Sequence, residues 1–157
     1  MAKQNKGSEN YVDLANAGLF FILLATIYLS TPTIVELLGN FFFDLQIEEL
    51  ANGFFFPIPQ TSHTQLYSAV FQLGIGIIVL HIIRTFLHLA FHSRPQKTIS
   101  AVVGIGVWAA NVWAINSLIT ASLTWITFFG YIVVFTGLGL VISSGISLLV
   151  IAAQRSS

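Results

Sequence analysis

The sequence predicts an all-α membrane protein: four transmembrane helices, with an amphipathic interfacial helix in the first extracytoplasmic loop. Three observations carry this prediction. Apolar residues make up 55% of the chain and charged residues only 8%, against roughly a quarter charged in soluble domains. Four apolar stretches reach the length of about twenty residues that a helix needs to cross hydrocarbon. All six Lys and Arg fall on one side of the resulting arrangement. A soluble chain of 157 residues has too little interior to hide so much Leu, Ile, Val and Phe, whereas a bilayer gives these side chains an apolar exterior to face.

The chain reads as one membrane domain, with spans at about residues 12–31, 63–91, 98–121 and 124–153. Lys3 and Lys6 precede the apolar run Leu14–Leu29 much as in a signal peptide. The long lead-in, the acid at Asp13 and the lack of a small-x-small site in Ser30-Thr31-Pro32-Thr33 argue that the first span stays attached. Thr31-Pro32 ends that span, and Ser62 with Gln65 reads as a capping box opening the second. His92-Ser93-Arg94-Pro95 closes the second span. The apolar run from Ile99 to Ala153 is too long for one membrane helix, so a tight helical hairpin is required near residues 120–125.

The first loop is too apolar for an ordinary loop, with Phe41-Phe42-Phe43 and Phe54-Phe55-Phe56 bracketing an acidic segment. Glu36, Asn40, Asp44 and Glu48 recur every fourth residue, and Ile34, Leu37, Leu38, Phe41, Phe42 and Leu45 fill the remaining arc. That periodicity predicts an interfacial helix over about residues 33–52, closed by Asn52-Gly53 and followed by an extended return through Pro57 and Pro59.

Lys3, Lys6, Arg84, Arg94, Lys97 and Arg155 lie at the two termini and around the second loop. The positive-inside rule makes that side cytoplasmic and the protein a multi-pass component of the cell membrane with both termini inside. Net charge is zero and cysteine is absent, so nothing points to nucleic acid, and disulfides, thiolate metal sites and Cys nucleophiles are excluded.

Several constellations carry possible chemistry. His81, Arg84, His88 and His92 share one face of the second span. With Arg94 and Lys97, the cytoplasmic part of this face is expected to meet anionic lipid headgroups or a partner protein. Glu36, Asp44 and Glu48 form the corresponding contact surface on the other side. His88 and His92, one turn apart, could also ligate a metal or haem together with a partner's ligands. Gln65, Ser68 and Gln72, with Gly76, form a polar stripe on the opposite face of the span, suited to interhelical hydrogen bonds or to lining a pore. In span three, Asn111 falls with Gly104 and Trp108, while Trp113 and Ser117 fall with Gly106, as two packing seams. In span four, Gly139, Ser143 and Ser147 form a small-residue row for close helix packing, and Gly130, Gly137 and Ser144 recur every seventh residue.

No Asp, Glu or Lys lies at mid-membrane, and no catalytic triad, zinc-helix, phosphate-loop or dinucleotide motif is present. The run Phe54-Phe55-Phe56-Pro57-Ile58-Pro59-Gln60, then Ser62-His63-Thr64-Gln65 and an apolar helix ending at Arg84, resembles small four-span membrane proteins of archaea. So does Thr124-Trp125-Ile126 leading into the Gly-rich fourth span. The resemblance implies a four-span fold and no activity, cofactor or functional residue. The expected role is a non-catalytic structural or accessory subunit contacting lipids, a protein partner or further copies of itself, with no cofactor of its own. An oligomeric small-solute channel or transporter is the second reading, and a redox or metal-binding membrane subunit the third.

Overall fold

The computed structural model describes residues 2–51, 53–91 and 95–156, with side chains over 11–50, 53–91 and 95–153. The elements are α1 (Ala2–Ser30), α2 (Ile34–Phe43), β1 (Leu45–Ala51), β2 (Phe54–Pro59), α3 (Thr64–Ala90), α4 (Pro95–Ile119) and α5 (Trp125–Ser156). Four helices are long and apolar enough to cross a membrane: Tyr11–Ser30 within α1, then α3, α4 and Trp125–Ala153 within α5. The protein is an all-α membrane protein in which these helices dominate.

Local chemistry sets the ends. Pro32 lacks the N–H that would continue α1, and Ser30 Oγ donates to the Ile27 carbonyl at 3.0 Å. The expected hairpin near residues 120–125 is present. Ser122 and Leu123 donate their backbone N–H groups to the Ser117 carbonyl at 2.8 and 3.2 Å, and Ala121 takes a φ of 54° to turn the chain.

The expected capping box does not form. His63 is the N-cap of α3 and makes no side-chain cap bond. Ser62 Oγ instead bonds the Thr64 hydroxyl at 2.9 Å.

The first loop differs most from expectation. Its helix stops at Phe43 with Asp44 as the C-cap, and the rest of the segment becomes an antiparallel two-stranded hairpin. Asp44 and Glu48 therefore share no helix face with Glu36. Asp44 still closes the last helical turn through its N–H to the Asn40 carbonyl at 3.0 Å. Its carboxylate, however, takes the Thr61 N–H at 2.8 Å, which directs the chain into the hairpin.

The long helices form a single row: α1 packs on α3, α3 on α4 and α4 on α5, with no other pair of them in more than marginal contact. Four close approaches set this order. A Cβ on Gly74 would lie 2.6 Å from Val112 of α4, and one on Gly104 would lie 2.5 Å from the His81 ring of α3. One on Gly76 would run into Leu23 of α1, and one on Gly139 into Val107 of α4. The buried core is accordingly concentrated on α3 and α4, around Leu66, Ala69, Ala101, Val112, Ala114 and Ile115.

Candidate functional site

Three places gather polar chemistry, and the hairpin end carries the densest set of side-chain bonds. A lone two-stranded hairpin is marginal in water, so this one depends on its anchors. Asp44 Oδ2 accepts from Thr61 N–H at 2.8 Å and from Thr61 Oγ1 at 2.9 Å, and it pairs with His63 Nε2 at 2.8 Å. The Thr61 backbone N–H, then His63, hold the Asp44 carboxyl below its ordinary value despite some desolvation. On the far side, Trp125 Nε1 donates to the Pro57 carbonyl at 3.0 Å, and Phe56 meets Phe129 edge-on at 5.5 Å. Phe41 gathers His63, Tyr67 and Trp125 around itself at ring separations of 5.3, 6.5 and 5.5 Å. Each such aromatic pair adds about 0.5–1.5 kcal/mol beyond its buried area. The hairpin is thus held to the start of both α3 and α5.

The acidic surface expected from Glu36, Asp44 and Glu48 is dispersed by this arrangement. Asp44 serves the clasp, Glu48 accepts from Gln60 Nε2 at 2.7 Å, and Glu36 stands exposed in the first turn of α2. Asp44 therefore serves as an internal latch through Oδ2.

The polar stripe occupies a groove beside α1. Gln65, Ser68 and Gln72 line a space of about 350 Å³ with Ser30, Thr31, Thr33 and Thr64. None of the three stripe side chains bonds another described residue, so the stripe faces open space and does not zip α3 to a neighbour. On the α2 side of the row lies a different environment. An apolar groove of about 410 Å³ runs between Leu24, Ile27, Ile34 and Leu73. A second of about 210 Å³ shares Leu38, Leu66 and Val70 with it and reaches Trp125 and Phe128.

At the termini end, Asp13 of α1 ties the row together. Its carboxylate takes Lys97 Nζ of α4 at 2.8 Å and lies 3.7 Å from an Arg84 guanidinium nitrogen of α3. Arg84 Nε also donates to His88 Nε2 at 3.3 Å, and His88 is only 1% exposed. The expectation that Arg84, His88 and Lys97 form a lipid- or partner-facing surface is corrected here: His88 is buried, and the two cations are turned toward Asp13. His92 and Arg94 lie outside the described residues. Among the described residues, no three His, Asp or Glu side chains converge as a metal centre requires.

No family model, curated protein or solved structure matches the chain.

Among the described residues, the seam between α3 and α4 carries two buried side-chain atoms with no hydrogen-bond partner, His81 Nδ1 and Asn111 Oδ1. Asn111 faces the interior of the row at 7% exposure and lines none of the grooves above. Of the small-residue row on α5, Gly139 is buried against Val107, and Ser143 and Ser147 are half-buried along the same flank. Gly130, Gly137 and Ser144 point away from α4, with open space beside both glycines.

His63, Thr61, Asp13 and Trp125 are the site residues that sequence reasoning did not select. The available signals were a carboxylate at the start of a span, opposite basic residues on the same side, and a Trp at the opening of the last helix.

Proposed function

We propose that the protein is a non-catalytic structural or accessory subunit of the cell membrane, acting through lateral contacts with partner proteins or lipid. The observation that supports this reading is the open row of helices. α1 and α5 each rest on a single long neighbour, so the row ends in two apolar flanks. Phe21 and Leu29 of α1 are 69% and 77% exposed, and Val141 and Leu149 of α5 are 70% and 71% exposed. Lipid covers such flanks, and so does another helix when small residues permit close approach. The outward glycines of α5 provide that opportunity.

In this proposal the termini face the cytoplasm and the hairpin lies outside. The distribution of Lys and Arg supports that orientation. Gentle extraction from the native membrane, followed by measurement of particle mass and composition, tests the role. Stoichiometric foreign subunits are the expected result; a particle built only of several copies of this chain overturns the accessory reading in favour of the oligomeric one.

A second reading, an oligomeric channel, draws on the amides of Gln65 and Gln72, which bond no other described residue and line their groove. One chain encloses no path there, so additional copies must close it. Gln72→Leu then abolishes solute flux in liposomes, and unchanged flux removes the reading.

A further inference from the structure

The two outer edges of the hairpin are chemically unequal. Gln60 N–H donates to the Asp44 carbonyl at 3.3 Å, which starts the ladder as a bonded pair. The register then runs Leu45↔Pro59, Gln46↔Ile58, Ile47↔Pro57, Glu48↔Phe56 and Glu49↔Phe55. Bonded and non-bonded pairs alternate in an antiparallel ladder. Gln46 and Glu48 therefore bond inward, while Leu45, Ile47 and Glu49 turn their N–H and C=O groups outward. On β2 the outward residues are Phe55, Pro57 and Pro59. Two of them have no N–H, and the Pro57 carbonyl is taken by Trp125 Nε1. Prolines and covering side chains are how sheet edges are closed against further pairing.

The β1 edge has no such protection. Among the described residues, no backbone group outside the hairpin meets its outward N–H and C=O groups. Ile47, at the centre of that edge, is 76% exposed. Unpaired backbone groups are costly wherever water is scarce, as at a membrane surface.

We propose that the outer edge of β1 pairs antiparallel with β1 of a second copy of this chain, giving a four-stranded sheet in the order β2–β1–β1–β2. The charges select both the occupant and the register. A two-fold axis at Ile47 sets Ile47 against itself, Gln46 against Glu48 of the second copy, and Leu45 against Glu49. No like charges stand opposite one another. Moving the axis to Gln46 opposes Asp44 to Glu48, and moving it to Glu48 or Glu49 opposes each glutamate to its own copy. An axis at Leu45 requires Phe43, which is helical. Directly opposed like charges are unfavourable, whereas Gln against Glu can hydrogen-bond. Gln60 engages Glu48 through Oε1 alone, which leaves Oε2 for Gln46 of the second copy. The surface is self-complementary, as a two-fold contact demands.

The absence of cysteine makes single-cysteine variants unambiguous. In the proposed pair the two Cα atoms of residue 47 stand about 5.5 Å apart, within disulfide reach. Those of residue 55 lie three strand spacings apart, about 14 Å, and are offset by a further four residues along the strand, so they stand about 20 Å apart and are out of reach. Oxidation in native membranes should cross-link Ile47→Cys into a dimer about tenfold more than Phe55→Cys. Ile47→Pro removes one outward N–H without touching the β1–β2 ladder, and it should halve the particle's content of this chain while Trp125 fluorescence, read with Trp108 and Trp113 replaced by Phe, stays unchanged. If the fluorescence does change, the cysteine pair alone decides. Equal cross-linking of the two cysteine variants, or none, overturns the proposal. A cross-link from Ile47→Cys to a different protein also overturns it and makes β1 the docking strand of a foreign partner. None of these outcomes depends on whether foreign subunits are found, so the accessory role and the self-pairing fail separately.

Discussion

Gly74 and Gly76 sit two residues apart on α3 and serve opposite neighbours: Gly74 admits Val112 of α4, and Gly76 admits Leu23 of α1. Two residues are about 200° around a helix, so these two positions place α3 between its neighbours and make the row open. The neighbours differ in stiffness. Ala at 76 meets both Cδ atoms and the Cγ of Leu23, a side chain that can turn about two bonds, whereas Ala at 74 meets one methyl of a β-branched valine fixed at χ1. Gly74→Ala should cost about 1–3 kcal/mol and Gly76→Ala less than about 1 kcal/mol, read from unfolding of the purified protein in mixed detergent.

Helix α5 offers a matched pair of positions. Gly139 is pressed against Val107, while Gly137 faces open space. Gly139→Ala should therefore loosen the α4–α5 seam by about 1–3 kcal/mol. Gly137→Ala should leave the isolated chain unchanged or stabilise it by up to about 1 kcal/mol through helix propensity. If Gly137→Ala also removed foreign subunits from the native particle, the outward face would be assigned to assembly.

The Asp44 clasp gives the hairpin a pH dependence of known sign. The folded carboxyl titrates below its ordinary value of 3.8, so its stabilisation is complete above that value and is lost as pH falls through the lowered one. Trp125 emission, read in a chain whose other two tryptophans, Trp108 and Trp113, are replaced by Phe, reports the bond to Pro57 and should be steady on this account from neutral pH to about 4 and change in stronger acid. In Asp44→Asn that acid transition should vanish.

Asp13 and Lys97 connect the first and third spans across α3. Reversing one charge alone, as in Lys97→Asp, should free the termini end of α1 and speed protease attack near residue 13. The double exchange Asp13→Lys with Lys97→Asp should restore protection. The pair is half-exposed at Asp13, so its net worth is about 1 kcal/mol or less, and a protection assay is more sensitive to it than global unfolding.

The spans were legible in the sequence because hydropathy over twenty residues is a strong signal that tertiary contacts rarely override. The hairpin was hidden by a coincidence of spacing. Glu36 and Asn40 are helical neighbours, but Asp44 is the residue that ends the helix, and Glu48 belongs to a strand. A four-residue period continued in the sequence where the helix itself had stopped. Asn52-Gly53 between apolar runs is a hairpin signal as much as a helix terminator, and Pro57 with Pro59 fits an edge strand.

The site was less legible because its pairings are long-range. Asp13 and Lys97 are separated by 84 residues, and Trp125 and Pro57 by 68. Neither spacing leaves a periodic trace. His88 looked like a surface residue because depth was judged from helix length alone. Its burial depends on where α1 and α4 pass, which only the packing reveals.

Trp125 and Phe129 fasten the hairpin from the opening turns of the last helix, and this imposes an order on biogenesis. The chain is made and inserted from its N-terminus, so β1 and β2 leave the ribosome well before the residues that secure them. Through the insertion of α3 and α4 the hairpin has only its Asp44 clasp to hold it. Arrival of α5 adds the second fastening, so a chain arrested after Ile119 would carry about three-quarters of the sequence and a half-tethered cap open to quality-control proteases.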